Sequence, residues 1–379
     1  MKIASIVGAR PQFVKAAPVS RAIREAAAAG RDIAEILVHT GQHYDGNMSD
    51  IFFEELGISA PDYNLGVGSA SHGVQTGAML AAIERVLEKE RPDWVLIYGD
   101  TNSTLAGALA AAKMRLPIAH VEAGLRSYDR RMPEEINRIV ADQLSTALFC
   151  PSRNAAANLR KEGIRDGVSI VGDVMAEALE YAVVRSMREA EEKSGSGEYG
   201  YVLATVHRAE NTDDPARLRN ILKALEAIGR IRPVVFPVHP RTKKMIAAAG
   251  WKPAAKGPEK SGARRAKTTA GAGIRFIDPV GYLEMARLES GAEMILTDSG
   301  GVQKEAYWLK VPCITLRDRT EWVETVASGW NVLAGTDTKK IIRAAENFTI
   351  PEKSAPLYGR GPKSAAPASR RIVDILLKS

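Results

Sequence analysis

Residues 94–138 read WVLIYGDTNSTLAGALAAAKMRLPIAHVEAGLRSYDRRMPEEINR. Two β-rich apolar runs, Trp94–Tyr98 and Pro117–Val121, bracket a helical pattern over Ser103–Lys113. Strand, helix and strand in so short a span predict a βαβ unit, and such units build parallel sheets. Strands of a parallel sheet are covered on both faces, so the acid that follows each run is conspicuous. Asp100 follows the first and Glu122 the second, while Glu134 and Glu135 come after Pro133 in what reads as a charged loop. A carboxylate at the end of a buried strand is costly unless it is paired or used. Helix caps or surface ion pairs would explain any one of these acids. Asp100, Glu122 and Glu134 together read as a site.

The alternation extends in both directions. Strand-like runs occur at Ile3–Val7, Glu35–His39, Leu148–Pro151 and Ser169–Val171, with helical patterns at Val14–Ala29 and Val74–Glu90. A second series has runs at Tyr201–Thr205, Pro233–Val238, Ile274–Ile277, Glu293–Leu296 and Pro312–Leu316, separated by helical patterns at Pro215–Ile231, Gly281–Ser290 and Val302–Leu309. Two such series in 379 residues predict an α/β protein of two doubly wound, Rossmann-like domains. The expected limits are 1–173 and 174–355, with the hinge near Gly172–Ala182. A tail, 356–379, carries a short amphipathic helix over Ser369–Leu377 and is expected to pack back on the first domain.

Charge and composition narrow the function classes. The net charge is +7, but residues 252–273 hold six basic residues against the single Glu259 and account for most of it. That Ala-, Gly- and Lys-rich segment reads as a mobile surface insertion. No aromatic residue interleaves with its charges past Trp251, which argues against a nucleic-acid surface. No apolar run of about 18 residues indicates a membrane span, and the N-terminus MKIASIVGARPQ lacks the apolar core of a signal peptide. Cys150 and Cys313 have neither metal nor disulfide spacing and read as packing residues. No histidine has metal-ligand spacing such as HExxH. A soluble cytoplasmic protein without a metal is the expectation.

Open α/β sheets bind ligands at the carboxyl ends of their strands, so those loops carry the functional reading. After the first strand, Gly8-Ala9-Arg10-Pro11-Gln12 leads into a helix containing Lys15. A Gly turn feeding a helix N-terminus suits a phosphate, and Arg10 adds a bidentate donor; a tight turn with a surface Arg explains the same residues. The run Met294–Leu296 is followed by TDSGGVQKE, residues 297–305. Ser299 caps the next helix, Gly300 and Gly301 allow close approach of an anion, and Glu305, one turn on, is placed to accept from ribose hydroxyls. The set is a nucleotide-diphosphate arrangement. TVHRAEN, residues 205–211, opens the second domain's loops with His207, flanked by Arg208 and Glu210. His239, in VHPR, ends the next strand in the same way. A lone histidine is more often structural; its charged neighbours favour a role for His207.

These motifs resemble the non-hydrolysing UDP-N-acetylglucosamine 2-epimerase family. VGARPQFVK, TGQHYD, GDTNSTLAG, HVEAGLRS, MPEEINR, HRAEN, DPVGYLE, TDSGGVQKEA and LRDRTEW occur in order, over nearly the whole chain apart from 252–273 and the final tail. The resemblance implies a glycosyltransferase-B-like architecture with the active site in the interdomain cleft, no cofactor, and a homodimer. It implies interconversion of UDP-GlcNAc and UDP-ManNAc through elimination of UDP to 2-acetamidoglucal and re-addition. It places Asp100, Glu122, Glu134 and His207 as catalytic groups. Arg10, His207, Ser299, Gly300 and Gly301 match diphosphate contacts, with Lys15 assisting charge neutralisation and Glu305 at the ribose. Gln42, Arg208 and His239 match contacts to a second, activating UDP-GlcNAc. Which carboxylate is the base stays open at this point.

One departure bears on the substrate. Many bacterial members have Arg where this chain has Trp322, after Thr320 and Glu321. With the N-terminal VGARPQF and Gly172-Asp-Val-Met175, TEWVETV is similar to epimerases of UDP-2,3-diacetamido-2,3-dideoxyglucuronic acid, the alternative substrate. A UDP-sugar glycosyltransferase and a non-catalytic nucleotide-sugar sensor are the rival classes.

Overall fold

The computed structural model describes residues 1–41, 53–192, 200–251, 273–351 and 366–379. Gln42 and the segment expected to be an insertion, except Gly273, lie outside the described residues. The chain forms two compact units, Met1–Tyr181 with Tyr358–Ser379, and Ala182–Leu357.

The first unit is built on a parallel sheet of seven strands: β1 (Lys2–Val7), β2 (Ala34–His39), β3 (Tyr63–Asn64), β4 (Trp94–Tyr98), β5 (Ile118–Val121), β6 (Ala147–Cys150) and β7 (Val168–Ile170). Their order is β3-β2-β1-β4-β5-β6-β7. The winding reverses between β1 and β4, whose register pairs Ile3 with Trp94 and Ile6 with Ile97. Every residue of β4 and β5 is buried, as helices on both faces require. The Ala-rich helix Asn102–Lys113 has small side chains along much of its length, so it lies close on Ile6 and Ile97.

The second unit repeats the plan with β8 (Tyr201–Thr205), β9 (Val234–Pro237), β10 (Ile274–Ile277), β11 (Ala292–Thr297), β12 (Cys313–Thr315) and β13 (Asn331–Leu333), ordered β10-β9-β8-β11-β12-β13. Here the winding reverses between β8 and β11, where Thr205 pairs with Thr297. The expectation of two doubly wound, Rossmann-like α/β units is borne out. The short strands β3 and β13 were not legible as patterns, being too short to show a period.

One stretch differs from the sequence reading. The supposed charged loop at 133–135 is the first turn of helix Pro133–Leu144: Pro is favoured at the first helical position, and Glu134 and Glu135 suit the positive end of the helix dipole. The range expected for the hinge, Gly172–Ala182, runs into helix Val174–Glu192, and the two units divide within that range, between Tyr181 and Ala182. The C-terminal helix Ala368–Leu376 packs on helix Arg10–Ala28 with Ile372, Val373 and Leu376 buried, and Ser369 Oγ donates to Glu177 Oε2 at 2.5 Å. No described helix is long and apolar enough to cross a membrane.

Candidate functional site

In each unit most of the predicted residues follow the carboxyl ends of the strands at the winding reversal or next to it, where the sheet opens a crevice for a ligand. In the first unit, Gly99 and Asp100 follow β4, Glu122 follows β5, and Arg10 and Lys15 come from the helix after β1. Lys15 Nζ stands 2.7 Å from Glu122 Oε2, with both side chains nearly buried. Glu122 adopts a left-handed backbone, φ 73°, and its amide and that of Ala123 both donate to the Phe149 carbonyl. Such a conformation in a non-Gly residue costs about 1–3 kcal/mol and clusters at functional sites. Gly99 also has positive φ, 63°, and a Cβ there would stand 3.0 Å from Lys15 Nζ and 3.4 Å from Glu122 Oε2. Only glycine satisfies both the backbone and the ion pair.

Asp100 Oδ2 accepts from Arg138 Nη2 at 2.6 Å. The other arm of Arg138 reaches Glu135 Oε2 at 2.7 Å. The carboxylate of Glu135 is further held by the amides of Ser127 and Tyr128, both at 2.9 Å. Burial works against its charge, but these bonds and Arg138 hold its carboxyl below the usual range. Thus Glu135, not Glu134, belongs to the buried network; Glu134 is exposed on the first turn of its helix. Sequence reading named Glu135 without giving it a role and missed Arg138, although the i, i+3 spacing of the pair was legible once the segment is known to be helical.

The Gly8 turn differs from its expected role. Its amides at Gly8 and Ala9 donate to Gln12 Oε1 at 2.9 and 3.1 Å, so they are not offered to a ligand. Gln12 Nε2 in turn donates to the Tyr98 carbonyl and to Thr104, tying the β1 loop to β4. Arg10, partly exposed at the helix start, is what that turn presents to an anion.

In the second unit, Ser299 caps helix Gly300–Leu309 by accepting from the Val302 amide, as expected. Gly300 and Gly301 form the first helical positions, whose amides have no carbonyl one turn back. Asp298, fully buried, accepts from the amides of His207 and Arg208 and from Asn211 Nδ2, all at 3.1 Å, and so ties the loop after β8 to the turn after β11. His207 is half-exposed, its Nδ1 3.3 Å from Asp298 Oδ1. Burial, with Arg208 and His239 nearby, lowers its pKa from 6.5 against the opposing pull of Asp298. His239 caps helix Pro240–Ala248, its Nδ1 accepting from the Arg241 amide.

Three residues that the sequence reading gave other roles, or none, surround the Gly300 turn. A Cβ at Gly300 would stand 3.0 Å from Trp322 Nε1 and 3.8 Å from Arg208 Nη2, so an indole N–H and a guanidinium flank it. Lys304, 1 % exposed, lies with Nζ 4.3 Å from the Trp322 ring centroid and 5.5 Å from that of Trp308. The signal was the i, i+4 spacing of Lys304 and Trp308 in SGGVQKEAYW. Glu305 is nearly buried and accepts from Tyr282 Oη at 3.3 Å. Beside it Glu289 is fully buried, and neither of its oxygens meets a donor among the described residues. Burial, then the nearby Glu305 carboxylate, push the Glu289 carboxyl well above its usual range. Burial raises the thiols of Cys150 and Cys313 to about 12, in keeping with packing roles. Among the described residues no group of three or more His, Cys, Asp or Glu is placed to hold a metal ion.

The first unit offers carboxylates beside cationic partners, and the second an anion turn rimmed by donors. Among known proteins, the family model described as UDP-N-acetylglucosamine 2-epimerase matches residues 25–377. The chain is similar to the UDP-2,3-diacetamido-2,3-dideoxy-D-glucuronate 2-epimerase of Pseudomonas aeruginosa, 50% identical over 385 residues covering 100% of both chains. It is 49% identical over 384 residues, 99% of both chains, to a UDP-N-acetylglucosamine 2-epimerase homolog of Methanococcus maripaludis. Among solved structures it is similar to the Methanocaldococcus jannaschii UDP-GlcNAc 2-epimerase in complex with UDP-GlcNAc and UDP, with a TM-score of 0.83, 43% identity and 100% of both chains covered.

Proposed function

The chain belongs to the UDP-N-acetylglucosamine 2-epimerase family, and from that premise we propose that it inverts C2 of a UDP-linked 2-acetamido sugar, UDP-GlcNAc to UDP-ManNAc. The C2 proton is weakly acidic, so its removal must be coupled to departure of a leaving group. A carboxylate of the first unit takes the C2 proton as the C1–O bond to UDP breaks, giving 2-acetamidoglucal and UDP. UDP oxygen then re-forms the bond to C1 while a proton is delivered to the opposite face of C2. This sequence consumes no redox equivalent and needs no nicotinamide.

The residues divide by charge. Asp100 and Glu122, each against a cationic side chain at the ends of adjacent strands, are the proton-transfer pair. Glu134 is carried as a third carboxylate, with Glu135 and Arg138 orienting Asp100 from the same helix. His207, the amides of Gly300 and Gly301, Ser299, Arg10 and Lys15 stabilise the leaving diphosphate, and Glu305 takes the ribose. The observation that carries the reading is the Lys15–Glu122 pair beside Asp100. A transferase needs a single base toward its acceptor and has no use for two carboxylates tied to cations beside one turn.

A second reading concerns the substrate. Trp322 in place of an Arg, and the identity to the P. aeruginosa enzyme, favour UDP-2,3-diacetamido-2,3-dideoxyglucuronic acid. Incubation with each sugar nucleotide in D2O, without acceptor or nicotinamide, decides. Deuterium at C2 with a new epimer identifies the substrate. No exchange on either overturns the epimerase reading, and tight UDP binding without exchange would mark a sensor. A homodimer, a cytoplasmic location, a role in surface polysaccharide synthesis and a regulatory site at Gln42, Arg208 and His239 complete the proposal. Light scattering tests the first, and rate activation by added UDP-GlcNAc tests the last.

A further inference from the structure

The carbonyl of Gly99 lies between β4 and Asp100, and a chain of buried polar groups ends on it. His120 Nε2 donates to this oxygen at 2.7 Å, and its Nδ1 lies 2.7 Å from Asp142 Oδ1. Asp142 Oδ2 accepts from Arg126 Nη1 at 2.7 Å and from the Gly124 amide at 3.2 Å. Arg126 in turn holds both oxygens of Glu162, each at 2.7 Å. The side chains of His120, Asp142 and Arg126 are completely shielded from solvent. Burial alone would raise the Asp142 carboxyl; bonds from His120 and Arg126 hold it below its usual range.

Well-packed apolar residues would commonly stabilise a core as well as a buried ionic chain does, so stability alone does not explain this one. The chain ends at an atom whose position matters. Gly99 has left-handed φ, its amide donates to the Val121 carbonyl, and its Cα faces the Lys15–Glu122 pair. A shift of this peptide moves Asp100 directly and the space reserved for Lys15 with it.

We propose that His120, backed by Asp142, Arg126 and Glu162, is a positioning residue for the C2 proton transfer, clamping the Gly99 carbonyl so that Asp100 and Glu122 keep their alignment as the proton moves. The proposal rests on the epimerase reading above. Asparagine at this position is too short to span Gly99 and Asp142 together. In His120→Asn, kcat falls about 10- to 100-fold, the loss expected of a misalignment on the order of 1 Å. KM for the UDP-sugar and Kd for UDP stay within about twofold, because the lost interaction acts on the transition state. The isotope effect with C2-deuterated substrate rises, since proton transfer becomes slower relative to the other steps. Asp142→Asn gives the same signature, and the double variant is no slower than the worse single one.

A readout independent of activity completes the test. Amide exchange over residues 98–104 accelerates in His120→Asn, while peptides from Ala182–Leu357 exchange as in the parent. A variant with the parent's thermal stability that keeps kcat, or leaves exchange over 98–104 unchanged, overturns the proposal. A rate loss carried by KM or by UDP affinity, with an unchanged isotope effect, also overturns it. If the parent itself shows no C2 exchange on any UDP-sugar, the epimerase reading falls, and amide exchange still decides whether His120 holds the turn.

Discussion

A single buried carboxyl behaves according to what surrounds it, and this chain holds contrasting cases. Asp100 meets Arg138 and is part-exposed, a position from which it can exchange a proton with a ligand. Asp100→Asn keeps its shape and removes that capacity. Turnover should fall by about 10²–10⁴-fold with UDP binding kept, which steady-state kinetics and calorimetric titration together would measure. Glu289 is the opposite case, buried without a donor beside Glu305. Its folded pKa lies above its unfolded one, so the native state binds the extra proton. Stability from this group is therefore fully present below the ordinary value of 4.5 and declines as pH rises toward neutrality. Glu289→Gln removes this slope, so its melting temperature should exceed the parent's at neutral pH and converge with it near pH 4.5. Equal melting temperatures at neutral pH would show that Glu289 is ionised in the fold.

Elements matter here through the phase at which they present side chains. Helix Pro133–Leu144 turns Glu135 and Arg138 inward and leaves Glu134 outside, a distinction that a reading of the segment as a loop does not make. Helix Arg10–Ala28 carries Lys15 to Glu122 across the winding reversal, and Gln12 to the end of β4. The Lys15 pair therefore joins the helix after β1 to the loop after β5. Lys15→Met leaves Glu122 buried without its cation, and chemical denaturation should show a loss of about 3–5 kcal/mol, larger than a surface pair would produce. Adding Glu122→Gln to Lys15→Met should recover much of this stability while activity stays absent.

Across the whole molecule, each unit has its own sheet and its own core. The C-terminal helix belongs to the first unit, where Ile372, Val373 and Leu376 are buried and Ser369 caps the Glu177 carboxylate. Truncation before Ala368 exposes those three side chains' partners and leaves Glu177 without its donor. At about 1.5–3 kcal/mol per buried aliphatic side chain, several kcal/mol is lost from the first unit. Calorimetry should show its transition shifting down while that of Ala182–Leu357 holds; a joint shift of both would show that they unfold as one.

What the sequence alone determined is what repeats along the chain. Alternating strand and helix patterns specified two doubly wound units because hydrophobic periodicity is local. The punctuation after each strand located Asp100, Glu122, His207 and the Ser299–Gly301 turn, because a doubly wound sheet opens its crevice at those ends. Tertiary structure decided the partners. Arg138 for Asp100, Lys15 for Glu122, Trp322 and Arg208 at Gly300, and the His120 chain behind Gly99 join residues far apart in sequence. His120 lies inside a fully buried strand, where a histidine reads as ordinary packing until the acceptors at both ring nitrogens are seen. Those pairings depend on helix phase and strand order, which are set by the packing of the whole unit and leave no local mark on the chain.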